Sequence, residues 1–301
     1  MYDQIASNKR RSLFLIAGFV VLVLMASWAF EQILGFGVGA LIFALIFAVG
    51  SSALAYWKSD AIALKMSHAQ PADPVEYARL HNLVEGLCIA AGLPKPRLYV
   101  VQDDAPNAFA TGRDPQHAAV AVTTGLLAKL NRVELEGVLA HELAHIKNYD
   151  ILVSTLAVTL VGVIALMADW GFRSIFWGGG RRNDRDGGGN SQAAFALVGF
   201  ALLIFLPIVA KLMQFAVSRR REALADVSGV AMTRYPPGLI SALEKLKDDQ
   251  TVVHSGSRAT AHLWIEAPVA RKDSEGKLAW AGRMFNTHPP LEERIEALRE
   301  L

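Results

Sequence analysis

The sequence predicts a mainly helical α+β protein of the membrane, in which four transmembrane helices carry a soluble part containing a small β-sheet. Three observations lead there. Of 301 residues, 52% are hydrophobic and only 19% charged. The apolar residues are gathered in long blocks rather than spread as core stripes. Two short runs rich in β-branched residues stand among helical patterns between the second and third blocks. The same figures exclude a disordered tail and a collagen-like fibre. A formal net charge of +2 supplies no global field, so nucleic acid is not an expected partner. Cys88 is the single cysteine, which excludes an intramolecular disulfide framework.

Residues 12–30 are uncharged, and after Glu31 and Gln32 a second uncharged run covers 33–57. A third block spans 151–168 and a fourth about 191–210, with Pro207 inside it. A bilayer core takes about 20 apolar residues in a helix, and all four blocks are near that length. The cluster Lys9-Arg10-Arg11 could belong to a cleaved signal peptide. A second apolar run so soon after the first favours an uncleaved hairpin with a cytoplasmic N-terminus. The loop 171–190 carries Arg173, Arg181, Arg182 and Arg185 in a Gly-rich, low-complexity setting, although simple alternation puts it outside.

Between blocks two and three, Pro74–Ala91 has helical spacing, and Arg97–Val101 and Ala118–Thr123 read as strands. Residues 103–117, with Pro106, Asn107, Gly112 and Pro115, read as a loop or irregular edge. After block four, SRRREALADVSGVA keeps helical spacing and a second helix runs from about 236 to 247. The polar stretch 249–278 reads as mobile. HPPLEERIEALREL closes the chain as a short helix started by proline.

Chemistry enters with NRVELEGVLAHELAHIKNYD. Asn131 followed by Glu134 is an asparagine form of the capping box. On the helix that follows, Leu135, Leu139, Leu143 and Ile146 fall within roughly 80° of one another, and His141, His145 and Asn148 take the opposite side. The apolar stripe can then bury while two imidazoles face a cleft. Histidines at i and i+4 ligate a single zinc ion from one helix face, and Glu142 beside them is the candidate general base. A chance match to this pattern is expected about 0.01 times in a chain of this composition. A catalytic zinc takes three protein ligands and keeps an open position. The third could be another histidine, an acid or a cysteine; Cys88 is distant, and no histidine follows at the spacing of the extended motif. Glu222 and Asp226 offer an acid pair at i and i+4, one for the metal and one to hold an imidazole N–H. His145 lies just before block three and Glu222 just after block four. A hairpin of those blocks would bring both ends to one side, close under the bilayer surface.

These stretches resemble the HtpX-type membrane zinc metalloproteases, in the same broad family as the CAAX prenyl endoproteases. The likeness is carried by AHELAHIKNYD (140–150), SRRREALAD (218–226), NAFATG (107–112), ATAHLWIEAP (259–268) and NTHPPLEERI (286–295). It implies a gluzincin-type fold holding one zinc ion per chain on His141, His145 and Glu222. Glu142 is then the base, with Asp226, and Asn148 on the same face, behind the ligands. It also implies that Asn107, Ala108, Phe109, Ala110 and Thr111 form or border an edge strand that holds extended substrate. His288 and Arg294 would stabilise the tetrahedral intermediate. The expected organisation is a transmembrane hairpin at 1–57, a catalytic part at 58–150, a second hairpin at 151–217 and a second catalytic part at 218–301. The expected role is quality control of misfolded membrane proteins in the bacterial inner membrane, with the catalytic domain facing the cytoplasm and the bilayer and polypeptides as partners. A processing protease of CAAX type would have more spans. A non-catalytic metal-binding membrane protein would carry ionisable groups inside its spans, which these blocks nearly lack.

Overall fold

The computed structural model describes residues 2–34, 38–157, 159–160, 162–163, 219–249, 251, 263–265 and 290–301. The loop 171–190, block four, His288 and most of 249–278 lie outside the described residues.

The first two apolar blocks are helices, and both overrun their apolar stretches. Helix α1 is Tyr2–Leu34 and α2 is Val38–Met66. Glu31 and Gln32, read from sequence as the turn, are the last-turn residues of α1, because both are sound helix formers. Helix α2 begins at Val38, and residues 35–37, Gly-Phe-Gly, lie outside the described residues. One face of α2 is a row of small buried residues, Ala44, Ala48, Ser52, Ala55, Ser59 and Ala63. Small side chains let helices approach closely in the manner of membrane bundles. Leu15, Phe19 and Val23 of α1 pack there, with Leu152, Val153 and Leu156 of helix α6 (150–157). Other large side chains turn outward: Phe14 is 74% exposed and Phe43 70%. Among the described residues one helical stretch, Leu41–Met66, is long and apolar enough to cross a membrane.

Beyond α2 comes a four-stranded mixed sheet in the order β1-β2-β4-β3. Strand β1 is Gln70–Pro71, β2 Arg97–Val101, β3 Ala108–Gly112 and β4 Ala118–Thr123. Strands β2 and β4 pair in parallel, Leu98 opposite Val120, and β3 and β4 antiparallel, Ala110 opposite Val120. The stretch read from sequence as irregular therefore contains a strand. Its Ala-Phe-Ala-Thr-Gly composition has little β signal of its own, and pairing with β4 supplies the order. A short 3-10 turn, Pro115–His117, joins the two, with the Asp114 carboxylate accepting from the His117 amide at 2.8 Å.

The sheet is buried on both faces. Leu98, Val100, Val120 and Val122 meet helix α3 (Ala78–Ala91) and α5 (Arg132–Lys147) in the main core. Val101, Phe109, Ala119 and Ala121 meet Ala63 and Leu64 of α2 together with Trp264. Part of the stretch expected to be mobile is thus core: Leu263, Trp264 and Ile265 are buried. Helix α4 is Thr124–Lys129, capped by the Thr123 hydroxyl. Against α5 pack α7 (Arg219–Thr233) and α8 (Pro236–Asp248), and α9 (Leu291–Arg299) packs on those two.

Candidate metal centre

Helix α5 starts where the capping box predicts. The Asn131 side chain accepts from the Glu134 amide at 3.1 Å, and the Glu134 carboxylate accepts from the Asn131 amide at 2.8 Å. Glu134 also takes Ser241 and Lys245 of α8, both at 2.7 Å, which locks the helix start to its neighbour. Sequence spacing gave α5 one apolar side and one open side. In the fold it is buried nearly all round, because α7 covers the histidine face: His141 is 1% exposed and Glu142 3%.

The close fit of α5 and α7 has a local cause. A Cβ added at Gly229 would lie 3.0 Å from the His141 amide nitrogen and 3.1 Å from its Cα. Gly229 follows Glu222 and Asp226 at i+7 and i+3, so the residue that permits the approach shares their helix face. Glu222 and Asp226 are thereby carried to the two histidines.

The Nε2 atoms of His141 and His145 stand 3.1 Å apart. The Glu222 carboxylate lies 3.7 Å from each of them. One ligand atom from each of the three residues falls within 4.8 Å of the others. Each imidazole also has a carboxylate at its back. His141 Nδ1 is 2.8 Å from Asp226, and His145 Nδ1 is 3.1 Å from Asp150. A ring nitrogen facing a carboxylate is the protonated one, which leaves both Nε2 lone pairs aimed at a common point. Two acceptors and a carboxylate converging in a buried site hold excess negative density that a cation relieves. Two nitrogens and a carboxylate are a donor set that suits zinc.

The excess of negative charge shows in the proton affinities of the cluster. Burial and the Arg294 cation oppose a charged His141, yet Asp226, with help from Glu222, raises it to about 9. Burial acts first on Glu142 and pushes its carboxyl above the ordinary value; Glu222 adds to the rise, while His141, His145 and Arg294 pull against it. Burial would likewise raise Asp226, but Arg294 and His141 outweigh it and hold the group down at about 2.

Arg294, from α9, grips Asp226 with two nitrogens, Nε at 2.9 Å and Nη2 at 2.7 Å. Its Nη1 is buried without a hydrogen-bond partner among the described residues. His141, Glu142, His145, Glu222, Asp226 and Arg294 are therefore gathered in one place from three helices. Asn148 caps the end of α5, and the carboxylate behind His145 is that of Asp150, which the sequence reading missed. Asn107 to Thr111 lie on and beside β3, at the sheet edge, and all five are buried. Part of that edge is covered, since the Ile265 amide donates to the Ala108 carbonyl at 3.0 Å and Thr155 lies against Thr111 at 3.1 Å. A groove of about 480 Å³ lined by Pro106, Lys129, Ser241 and Lys245 includes none of the clustered residues.

The model of peptidase family M48 matches residues 74–301. A protein named Protease HtpX homolog from Caldanaerobacter subterraneus is 42% identical over 301 residues, covering 100% of this chain and 98% of its own. Another of that name from Tropheryma whipplei is 44% identical over 303 residues, with the same coverage. Among solved structures, the crystal structure of S. mikatae Ste24p matches with a TM-score of 0.50 at 18% identity, over 99% of this chain and 67% of that one.

Proposed function

The chain belongs to peptidase family M48, and from that premise we propose that it is a membrane zinc endopeptidase that hydrolyses unfolded or damaged membrane proteins. The observation that carries the reading is the convergence of His141, His145 and Glu222, with one ligand atom from each within 4.8 Å of the others.

Those three residues would hold the ion. Zinc, when bound, polarises water and the scissile carbonyl and brings the pKa of the water towards about 7. Glu142 takes a proton from the attacking water and later returns it to the leaving amine. Burial and the raised affinity of Glu142 for a proton support that double role, since a very acidic carboxylate would not keep the proton long enough to pass it on. Asp226 keeps His141 in the tautomer that presents Nε2. The unspent Nη1 of Arg294 is a buried donor suited to charge developing on the carbonyl oxygen. His288, outside the described residues, is assigned the same task from the resemblance alone.

Substrate backbone would add to the β3 edge at Asn107–Thr111, displacing the Ile265 amide from the Ala108 carbonyl. Main-chain pairing reads extended conformation more than sequence, which suits unfolded substrates. The outward apolar side chains of α1 and α2 support lipid as their surroundings. Lys9, Arg10 and Arg11 ahead of the first apolar run support a cytoplasmic N-terminus. On this reading four spans anchor the chain in a bacterial inner membrane with the metal centre just inside the cytoplasm.

The test is cleavage of an unfolded membrane protein and an unfolded soluble one by the detergent-solubilised chain, beside its zinc content. A chelator abolishes cleavage, Glu142→Gln abolishes it while zinc stays, and Glu222→Gln loses zinc. Zinc retained with no chelator-sensitive cleavage of either substrate would overturn the proposal in favour of a metal-binding protein.

A further inference from the structure

The two imidazoles of the metal triad are held from behind in parallel ways. Asp226 holds His141 and is itself gripped by Arg294. Asp150 holds His145, and its other oxygen accepts from the side-chain amide of Asn8 at 2.7 Å. Asn8 sits on α1, 142 residues away in sequence, is 3% exposed and precedes the first apolar run. The same amide nitrogen donates to the Asn148 carbonyl at 2.9 Å. One turn of α1 thus contacts both ends of the three-residue turn that follows α5.

The middle of that turn needs holding. Tyr149 has φ +59, in the left-handed region that a bulky side chain rarely adopts. Such a residue persists where its surroundings over-determine it, at about 1–3 kcal/mol. Lys9, next to Asn8, lies over the Tyr149 ring at 4.9 Å from its centroid. Asn148, Tyr149 and Asp150 are therefore each met by Asn8 or Lys9. The left-handed step at Tyr149 doubles the chain back so that Asp150 reaches a ring only five residues before it. Arg221 of α7 stands 3.8 Å from the same carboxylate and adds charge but no short bond.

We propose that Asn8 is a positioning residue of the metal centre: by holding Asp150 and the Asn148–Asp150 turn it fixes the orientation of His145, so metal retention depends on the seating of α1. The inference rests on the triad reading of His141, His145 and Glu222. Its consequence is that the first membrane-proximal helix is part of the metal site as well as an anchor. A carboxylate behind a metal-bound histidine typically changes metal affinity 10–100-fold when removed, and the residue that aims this one acts through it.

The experiment uses the full-length chain in detergent, loaded with zinc and challenged with a chromophoric chelator, beside thermal unfolding of the metal-free form. Asn8→Ala and Asp150→Asn should each weaken zinc binding about 10-fold or more. Ser12→Ala, which removes a buried α1 hydroxyl that donates to the Asn8 carbonyl of its own helix, should leave affinity unchanged. Any fall in metal-free Tm in Asn8→Ala should be too small to account for its loss of zinc affinity, and the cobalt-loaded visible spectrum should shift in Asn8→Ala and Asp150→Asn but not in Ser12→Ala. Wild-type zinc affinity in both Asn8→Ala and Asp150→Asn, with loss in Glu222→Gln, would overturn this proposal and leave the triad standing. Zinc retained by Glu222→Gln would instead overturn the triad. Equal weakening in Asn8→Ala and Ser12→Ala, in step with Tm, would reduce Asn8 to a packing role and overturn the proposal.

Discussion

At the scale of single residues, the chemistry depends on what stands behind each group rather than on the group alone. His141 and Glu142 are ordinary side chains whose proton affinities are set by burial, by Arg294 and by the carboxylates around them. Cys88 shows burial outweighing the nearby Lys95 cation. It is 3% exposed on α3, and burial raises its thiol from an ordinary 9.0 to about 11. The protonated form is then favoured in the folded state, so this group's contribution to stability is complete below pH 9 and lost as pH rises towards 11. At pH 8 the native thiol should resist an aromatic disulfide reagent that labels the unfolded chain within minutes. Rapid native labelling would show that the α3 face opens.

At the scale of elements, the site is made by helix approach. Glu222 and Asp226 are legible as an acid pair in SRRREALAD, but the sequence does not say that they meet α5. That depends on Gly229, whose missing side chain lets α7 lie against the His141 backbone. Gly229→Ala pushes a methyl into backbone atoms that cannot swing aside. We expect about 1–2 kcal/mol of lost stability from overpacking and a weaker hold on zinc. Chelator competition would check it, and wild-type affinity would show that the ligand geometry survives a wider crossing. The pair Gly137 and Gly238 serves α5 and α8 similarly, a Cβ on Gly137 lying 2.7 Å from the Leu239 amide nitrogen.

At the scale of the whole molecule, the apolar helices and the metal centre are one structure. Helix α2 runs from its outward apolar face into contact with the sheet at Ala63 and Leu64, and α1 reaches the turn behind His145. The small-residue face of α2 is the seam that holds these together. Ala48, which is fully buried, should not tolerate a larger side chain. Ala48→Leu is expected to lower stability by about 1–3 kcal/mol, read as a fall in Tm in detergent. Ile46→Leu, on the outward face at 67% exposure, should be silent. Equal effects of the two would mean that the burial of Ala48 does not govern the hairpin.

The sequence by itself determined whatever is set by spacing along one helix or strand. His141, Glu142 and His145 are fixed to one another by the 3.6-residue period, the Asn131–Glu134 box by three residues, and β2 and β4 by their own composition. The apolar blocks at 12–30 and 33–57 declared themselves by length. Only the tertiary structure decided which carboxylate stands behind His145, that β3 is a strand, and that Asn8 belongs with residues about 140 positions away. The physical reason is the same in each case. A local pattern shows which faces a segment can present, whereas partners far apart in sequence are chosen by packing. Packing is governed here by a missing side chain at Gly229 and a left-handed turn at Tyr149. Neither has a period to read.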